Sequence, residues 1–143
     1  MILSHLPDTD GSRCTLSQEP AGWLRATWRG FISPEEALRG ADNYLQALQG
    51  LRNPCLLNDN VELMGPWFDS IDWLERIWVP QAVQMGLRYV AHVVQADSLS
   101  DILTVHFNKG TAGVLELQIF QQVPEAEEWL RACQRVVALE KSK

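Results

Sequence analysis

The sequence predicts a single-domain α/β protein in which helices pack on a mixed sheet of about five strands. An alternating segment and the strand before it predict an antiparallel hairpin, Cys14 to Gln18 with Trp23 to Arg29. Apolar strands follow at 55–58, 87–94 and 115–120. Because helical patterns separate these later strands, we expect them to pair in parallel.

The helices complete the order β-β-α-β-α-β-α-β-α. The first begins at Ser33-Pro34, where a capping hydroxyl precedes a proline suited to the first helical position, and Gly50 ends it. The remaining helices are predicted over 69–85, over 97–107 and from Pro124 onward.

Length and charge limit the possible classes of function. The 143 residues fit one domain, 1–143, in which turn formers predict a loose stretch over residues 1–11. A net charge of −6 repels phosphate backbones, so we expect no nucleic-acid partner. No segment approaches the about 18 apolar residues of a membrane span, and the N-terminus lacks a signal-peptide pattern. We therefore expect a cytoplasmic protein.

The reactive side chains form no catalytic or metal-binding pattern. The three cysteines lack CxxC spacing, which favours buried free thiols in a reducing compartment. The three histidines lack metal-ligand spacing, and His92 lies within a predicted strand. No nucleophile motif or glycine-rich phosphate loop is present. We therefore predict a non-enzymatic protein without metal or cofactor.

The best candidate site follows the apolar run Cys55-Leu56-Leu57, where three polar residues begin abruptly. Two interpretations stay open. Polar residues after a strand of an open α/β sheet form ligand sites, and Asn and Asp also form ordinary turns. Because apolar residues follow closely, we predict a contact surface that comprises Asn58, Asp59, Asn60, Met64, Trp67 and Phe68.

A set of short segments has a combined spacing that is typical of one family. The segments are Leu56-Leu57-Asn58-Asp59, Trp73-Leu74, Trp78-Val79-Pro80 with Gly86, Tyr89 to Val93, Phe120, and Glu125-Ala126 with Trp129-Leu130. In this spacing the chain resembles bacterial SpoIIAA-like proteins, the group of STAS and CRAL-TRIO-like domains. The resemblance extends from about Trp23 to Leu130 and implies helices packed on a sheet of about four or five strands.

The resemblance also implies a regulatory role, with one departure. Better-known STAS domains antagonise anti-sigma factors, and phosphorylation of a Ser or Thr in an Asp-Ser-(Ser/Thr)-Gly motif after a central strand switches them. The corresponding segment here is Asp59-Asn60-Val61-Glu62. Because the amide of Asn60 cannot be phosphorylated, the departure argues against this switch.

We therefore predict a non-enzymatic SpoIIAA-like domain that binds a protein partner or a second copy of itself. Six tryptophans favour an aromatic interface and a possible homodimer. CRAL-TRIO kinship implies an alternative, the binding of a small hydrophobic ligand or lipid. A second alternative is an enzyme that uses carboxylates of the 58–72 region, where Asp69 and Asp72 lie one helical turn apart.

Overall fold

A computed structural model describes residues 2–7, 13–31, 33–51, 53–64, 78–93 and 115–141. Its centre is a six-stranded sheet whose strand order follows the chain. The first three strands pair antiparallel and the last four pair parallel. The strands are β1 (Ile2–Pro7), β2 (Arg13–Gln18), β3 (Leu24–Phe31), β4 (Cys55–Met64), β5 (Tyr89–Val93) and β6 (Glu116–Phe120).

Helices pack on both faces of the sheet, and each face has its own apolar core. The helices are α1 (Pro34–Leu51), α2 (Val79–Gln84) and α3 (Val123–Lys141). On the first face, here the α1 face, α1 and α2 cover side chains such as Leu24, Leu56 and Val90. On the opposite face, the α3 face, Ala126, Leu130 and Cys133 of α3 pack against Cys55, Leu57, Ala91 and Val93.

The start of α1 is fixed by local chemistry. The backbone N–H of Glu36 donates to the Ser33 hydroxyl at 3.2 Å, and the Ser33 N–H donates to the Glu36 carboxylate at 3.4 Å. This reciprocal pair is a capping box, which satisfies two backbone donors that the helix leaves free. The box places the buried stripe of Ala41, Leu45 and Leu48 against the sheet.

The N-terminal stretch differs from the expected pattern. Ile2–Pro7, predicted as part of a loose stretch, forms β1 and pairs with β2 because the outer edge of β2 offers backbone groups for pairing. The turn formers that suggested a loose N-terminus lie at the end of β1 and between the two strands. Of the helix predicted over 69–85, α2 covers Val79–Gln84, and residues 69–77 lie outside the described residues.

The α/β class, the N-terminal hairpin and the parallel later strands are confirmed. The sheet has one strand more than the predicted set, because of β1. The helix predicted over 97–107 lies outside the described residues. None of the described helices combines the length and hydropathy that crossing a membrane requires.

Candidate functional site

The polar triplet Asn58-Asp59-Asn60 lies inside a strand, so its interpretation as a turn that ends the strand is wrong. β4 continues beyond it to Met64, between β3 on one side and β5 on the other. The turn was one of two open interpretations, because the apolar run stops at Asn58. The run stops for another reason, since the neighbouring strands supply polar partners for these side chains.

Successive side chains of a strand point to opposite faces, and this alternation divides the triplet. Asn58 and Asn60 lie on the α1 face, in line with Leu56. Asp59 lies on the α3 face, in line with Leu57. The predicted contact surface is therefore split across the sheet, and only Asp59 shares a face with the charged residues of β3.

On the α1 face, four side chains form a polar network in which Asn60 and His92 are buried and Trp28 and Asn58 are half-buried. The indole N–H of Trp28 donates to Oδ1 of Asn58 at 2.8 Å. Nδ1 of His92 lies 3.1 Å from Nδ2 of Asn58 and 3.1 Å from Nδ2 of Asn60. Because an amide nitrogen only donates, Nδ1 of His92 accepts, and the imidazole is neutral.

Burial keeps this imidazole neutral. His92 is buried, and removal from water lowers its pKa from 6.5 to about 4. The charged residues on the described parts of the two covering helices lie at exposed positions or pair with another residue. Glu35, Arg39 and Asp42 of α1 are exposed, Glu36 is held by Ser33, and α2 carries no charged residue. The network is thus neutral, which is typical of polar side chains that specify packing.

A β-bulge shapes β4 directly after the triplet. Thr27 pairs with Asp59 and Arg29 with Glu62, so two residues of β4, Asn60 and Val61, stand opposite Trp28 alone. Oδ1 of Asp59 accepts the backbone N–H of Val61 at 3.1 Å. The side chain of Asp59 thus holds a backbone donor in the bulge, where ladder pairing is disrupted.

On the α3 face, two ion pairs join β3 to β4. The guanidinium of Arg25 donates to Oδ2 of Asp59 at 2.7 Å, and Glu19 lies 3.6 Å from its second terminal nitrogen. Nε of Arg29 lies 2.8 Å from the carboxylate of Glu62. The bulge makes the second pair possible, because the extra residue returns Glu62 to the face on which Asp59 and Arg29 lie.

The α3 face is covered over only half of its width within the described chain. α3 packs on β4, β5 and β6, whereas the α3-face side chains of β2 and β3 are half-buried or exposed. We call this second half the open surface; it comprises Thr15, Ser17, Arg25, Thr27, Arg29 and Glu62. The side chains of Arg29 and Glu62 are its most exposed pair, at 49% and 60%.

Two of the thiols, Cys55 and Cys133, lie in the core of the α3 face, and Cys14 is buried on β2. Cys14, Cys55 and Cys133 are free and buried, as predicted. Burial raises the pKa of Cys14 and Cys55 to about 12 and that of Cys133 to about 11. Since the thiolate is the nucleophile, these thiols are inert at neutral pH. Within the described residues, no three acidic, His or Cys side chains come together as a metal site.

The remaining predicted site residues can be placed only in part. Met64 is the last residue of β4, while Trp67 and Phe68 lie outside the described residues. Asp69 and Asp72, which motivated the carboxylate alternative, also lie outside them. The order of the strands does not favour a ligand site at their ends. β3 to β6 follow chain order without the reversal that creates a ligand crevice.

Sequence reasoning did not find the partners of the triplet. His92 is directly opposite Asn58 in the parallel register, and Trp28 reaches Asn58 from β3. The alternation from Trp23 to Arg29 predicts a strand, but it does not identify the acidic partners of Arg25 and Arg29. Each of these contacts joins residues about thirty positions apart, so only the register of the sheet reveals them.

Comparisons with known proteins agree with this architecture. No protein-family model matches the chain, and no curated protein is significantly similar to it. A crystal structure of an uncharacterized protein of the DUF3478 family from Shewanella loihica, described as having a SpoIIAA-like fold, superimposes with a TM-score of 0.59. The match covers 89% of this chain and 95% of that one at 20% identity. The chain therefore has a SpoIIAA-like fold, as the resemblance implied.

Proposed function

We propose that the chain is a non-enzymatic domain that holds a protein partner on the open surface. The observation that carries this proposal is the uneven cover of the α3 face by the described residues: α3 packs on β4 to β6, while the side chain of Arg29 on β3 is 49% exposed. Arginine is enriched in protein interfaces, because its planar guanidinium makes several directed hydrogen bonds.

The state of the titratable groups supports a binding role over a catalytic one. A general base needs a pKa near the working pH, and burial moves the pKa of His92 to about 4. Burial raises the pKa of the three thiols, which disfavours the thiolate form that reacts as a nucleophile. Among the described side chains, His92 and the three thiols most resemble catalytic groups. Burial keeps them uncharged, which suits packing.

Of the residues that the sequence predicted as a contact surface, Asp59 shares the α3 face with the open surface. Val61, two residues further along β4, is 36% exposed. The fold family's phosphorylation switch has no acceptor at Asn60, which moreover is buried in the network with His92. We therefore propose constitutive binding, controlled by the availability of the partner.

A pull-down from native lysate with tagged protein tests the proposal. Arg29→Glu reverses an exposed charge in the open surface, and Arg135→Glu makes the same change on the exposed side of α3. We expect the first variant to lose the proteins that the parent retains and the second to keep them. Equal retention by both variants, each folded by circular dichroism, would refute the open surface as the binding site.

A further inference from the structure

The outer side of α3 carries exposed apolar side chains. Val136 is 44% exposed and Leu139 is 65% exposed, the two largest values among the large apolar residues that the structure describes. The two residues are three positions apart on one helix, so they are neighbours on its surface. Single exposed apolar residues are ordinary on a protein surface, whereas a contiguous group of them marks a contact site.

Val136 and Leu139 belong to an apolar stripe along one flank of α3. Its members are spaced by three, four and three residues, which is the spacing of a seam between two packed helices. We call this set the α3 stripe; it comprises Trp129, Ala132, Val136 and Leu139. The ring centre of the half-buried Trp129 lies 5.8 Å from that of Phe120 in β6, which places the stripe on the β6 side of the helix.

The other sides of α3 contact the rest of the chain. One apolar face packs into the core of the α3 face. On the flank toward β3, the side-chain amide of Gln134 donates to the carbonyl of Ala21 at 2.9 Å. The guanidinium of Arg131 lies 5.7 Å from the centre of the Trp23 ring on the same flank. A helix that covers a sheet needs one apolar face, so the additional α3 stripe indicates a second packing partner, on a surface separate from the open surface.

Charge is divided along α3 in a way that a second copy of the helix complements. Three glutamates lie within residues 125–128, whereas Arg131 and Arg135 follow in the second half. The acid of that half, Glu140, is paired with Arg88. Two antiparallel copies place the acidic half of each helix beside the basic half of the other and oppose their dipoles favourably, while a parallel pair would place acid beside acid.

The size of the α3 stripe sets the strength of such a contact. The 19 residues of α3 are about 28 Å long, and a helix with side chains is about 10–12 Å across. A contact along one flank therefore buries roughly 300 Å² of each copy, less than half of the about 800 Å² that each partner buries in a standard interface. We expect a weak and reversible dimer.

We infer that the α3 stripe binds the α3 stripe of a second copy of the chain, with the two helices antiparallel. The pair has two-fold symmetry, so the same side chains serve both copies. The small Ala132 lets the two helices approach closely, and Val136 and Leu139 lose their exposed area in the contact. The dimer goes beyond the proposed function, because it leaves both open surfaces available to other proteins.

The test is sedimentation velocity of the full chain over a concentration series. We expect a monomer–dimer equilibrium that Leu139→Asp weakens at least about tenfold, because the change places a charge in the contact of both copies. Ala138→Asp is the matched control: it introduces the same charge at the adjacent exposed position, on the flank toward β3, and should weaken the dimer less than about twofold. Arg135→Glu makes both halves of α3 acidic and should weaken the dimer about threefold or more.

Two results would overturn the inference: a parent chain that stays monomeric at every concentration, or equal dimerisation of the parent and Leu139→Asp. Parent-like dimerisation of Arg135→Glu would overturn the antiparallel arrangement. The proposed function fails separately. Arg29→Glu should dimerise like the parent, so if it retains the native partner while Leu139→Asp abolishes the dimer, only the open surface is wrong. If Arg29→Glu loses the partner while the parent is monomeric, only the dimer is wrong.

Discussion

The two faces of β4 use similar residues for opposite purposes. On the α1 face, Asn58 and Asn60 meet His92 in a neutral network. On the α3 face, one residue away, Asp59 meets Arg25 in an ion pair whose side chains are 12% and 26% exposed. The sequence presents these residues as one polar triplet, and the alternation of the strand gives them neutral partners on one face and a charged partner on the other.

The difference shows how burial selects chemistry. A charge on the α1 face would lose hydration under α1 and α2, so neutral amides and an unprotonated imidazole are the polar groups that this site tolerates. On the α3 face, the side chains of Arg29 and Glu62 are 49% and 60% exposed and keep their hydration. The first face is suited to fixing the structure, and the second carries the exposed ion pair on which our proposal of partner binding rests.

The largest expected effect is acid sensitivity of the buried network. His92 has a pKa of about 4 in the folded chain and about 6.5 when unfolded. As the pH falls from 6.5 to 4, the unfolded state binds a proton that the folded state does not, so this group removes about 3 kcal/mol of stability. Above pH 6.5 its contribution is constant. Urea unfolding at several pH values measures this loss.

His92→Gln is the control for this pH dependence. The variant removes the titrating ring while keeping polar atoms for the amides of Asn58 and Asn60. Carboxylates titrate in the same range, so the informative quantity is the difference between the parent and the variant. A variant whose stability falls as steeply as that of the parent would contradict the assignment of the effect to His92.

A smaller effect is expected where α1 approaches the network. A Cβ on Gly40 would overlap the ring of Trp28, although alanine favours a helix over glycine by about 1 kcal/mol. We expect the overlap to dominate, so that Gly40→Ala destabilises the chain by about 2 kcal/mol in urea unfolding.

The same change in a Trp28→Leu background should stabilise that variant, because the smaller side chain frees the space over residue 40. The double-mutant cycle therefore isolates the contact between α1 and the network. Equal effects of Gly40→Ala in both backgrounds would mean that another contact opposes a side chain at this position.

Asp59 serves both the bulge and the ion pair, and its amide variant should give the smallest of these three effects. Asp59→Asn keeps an oxygen for the Val61 N–H and loses the charge beside Arg25, for which we expect about 1 kcal/mol of destabilisation. Asp59→Ala loses both contacts and should destabilise the chain further. Thermal unfolding of the two variants measures each role, and equal melting temperatures would show that the bulge does not need Asp59.

Most of the fold could be predicted from local patterns, because the strand and helix signals are short-range. Alternation from Trp23 to Arg29 and the capping residues Ser33 and Glu36 act within a few positions. The site could not be predicted in the same way. The contact of Asn58 with His92 depends on register, and the bulge at Asn60 and Val61 leaves no signature in composition.

The N-terminal strand illustrates the same limit. Ile2–Pro7 has only a weak strand pattern of its own and ends in turn formers, which predicted a loose segment. Its pairing depends on the free edge of β2, a non-local feature. Local signals therefore identified the elements that stand alone and missed those that a neighbouring strand completes.

The most direct test of the contrast between the faces is the change in unfolding free energy for the matched pair Asn60→Leu and Arg29→Leu, measured by urea unfolding at pH 7. The first removes a donor from the buried His92 and should destabilise the chain by about 2 kcal/mol, while the second removes an exposed ion pair and should change stability by less than about 0.5 kcal/mol. If Arg29→Leu destabilises the chain as much as Asn60→Leu, the open surface is structural, and the contrast between a packing face and a binding face is wrong.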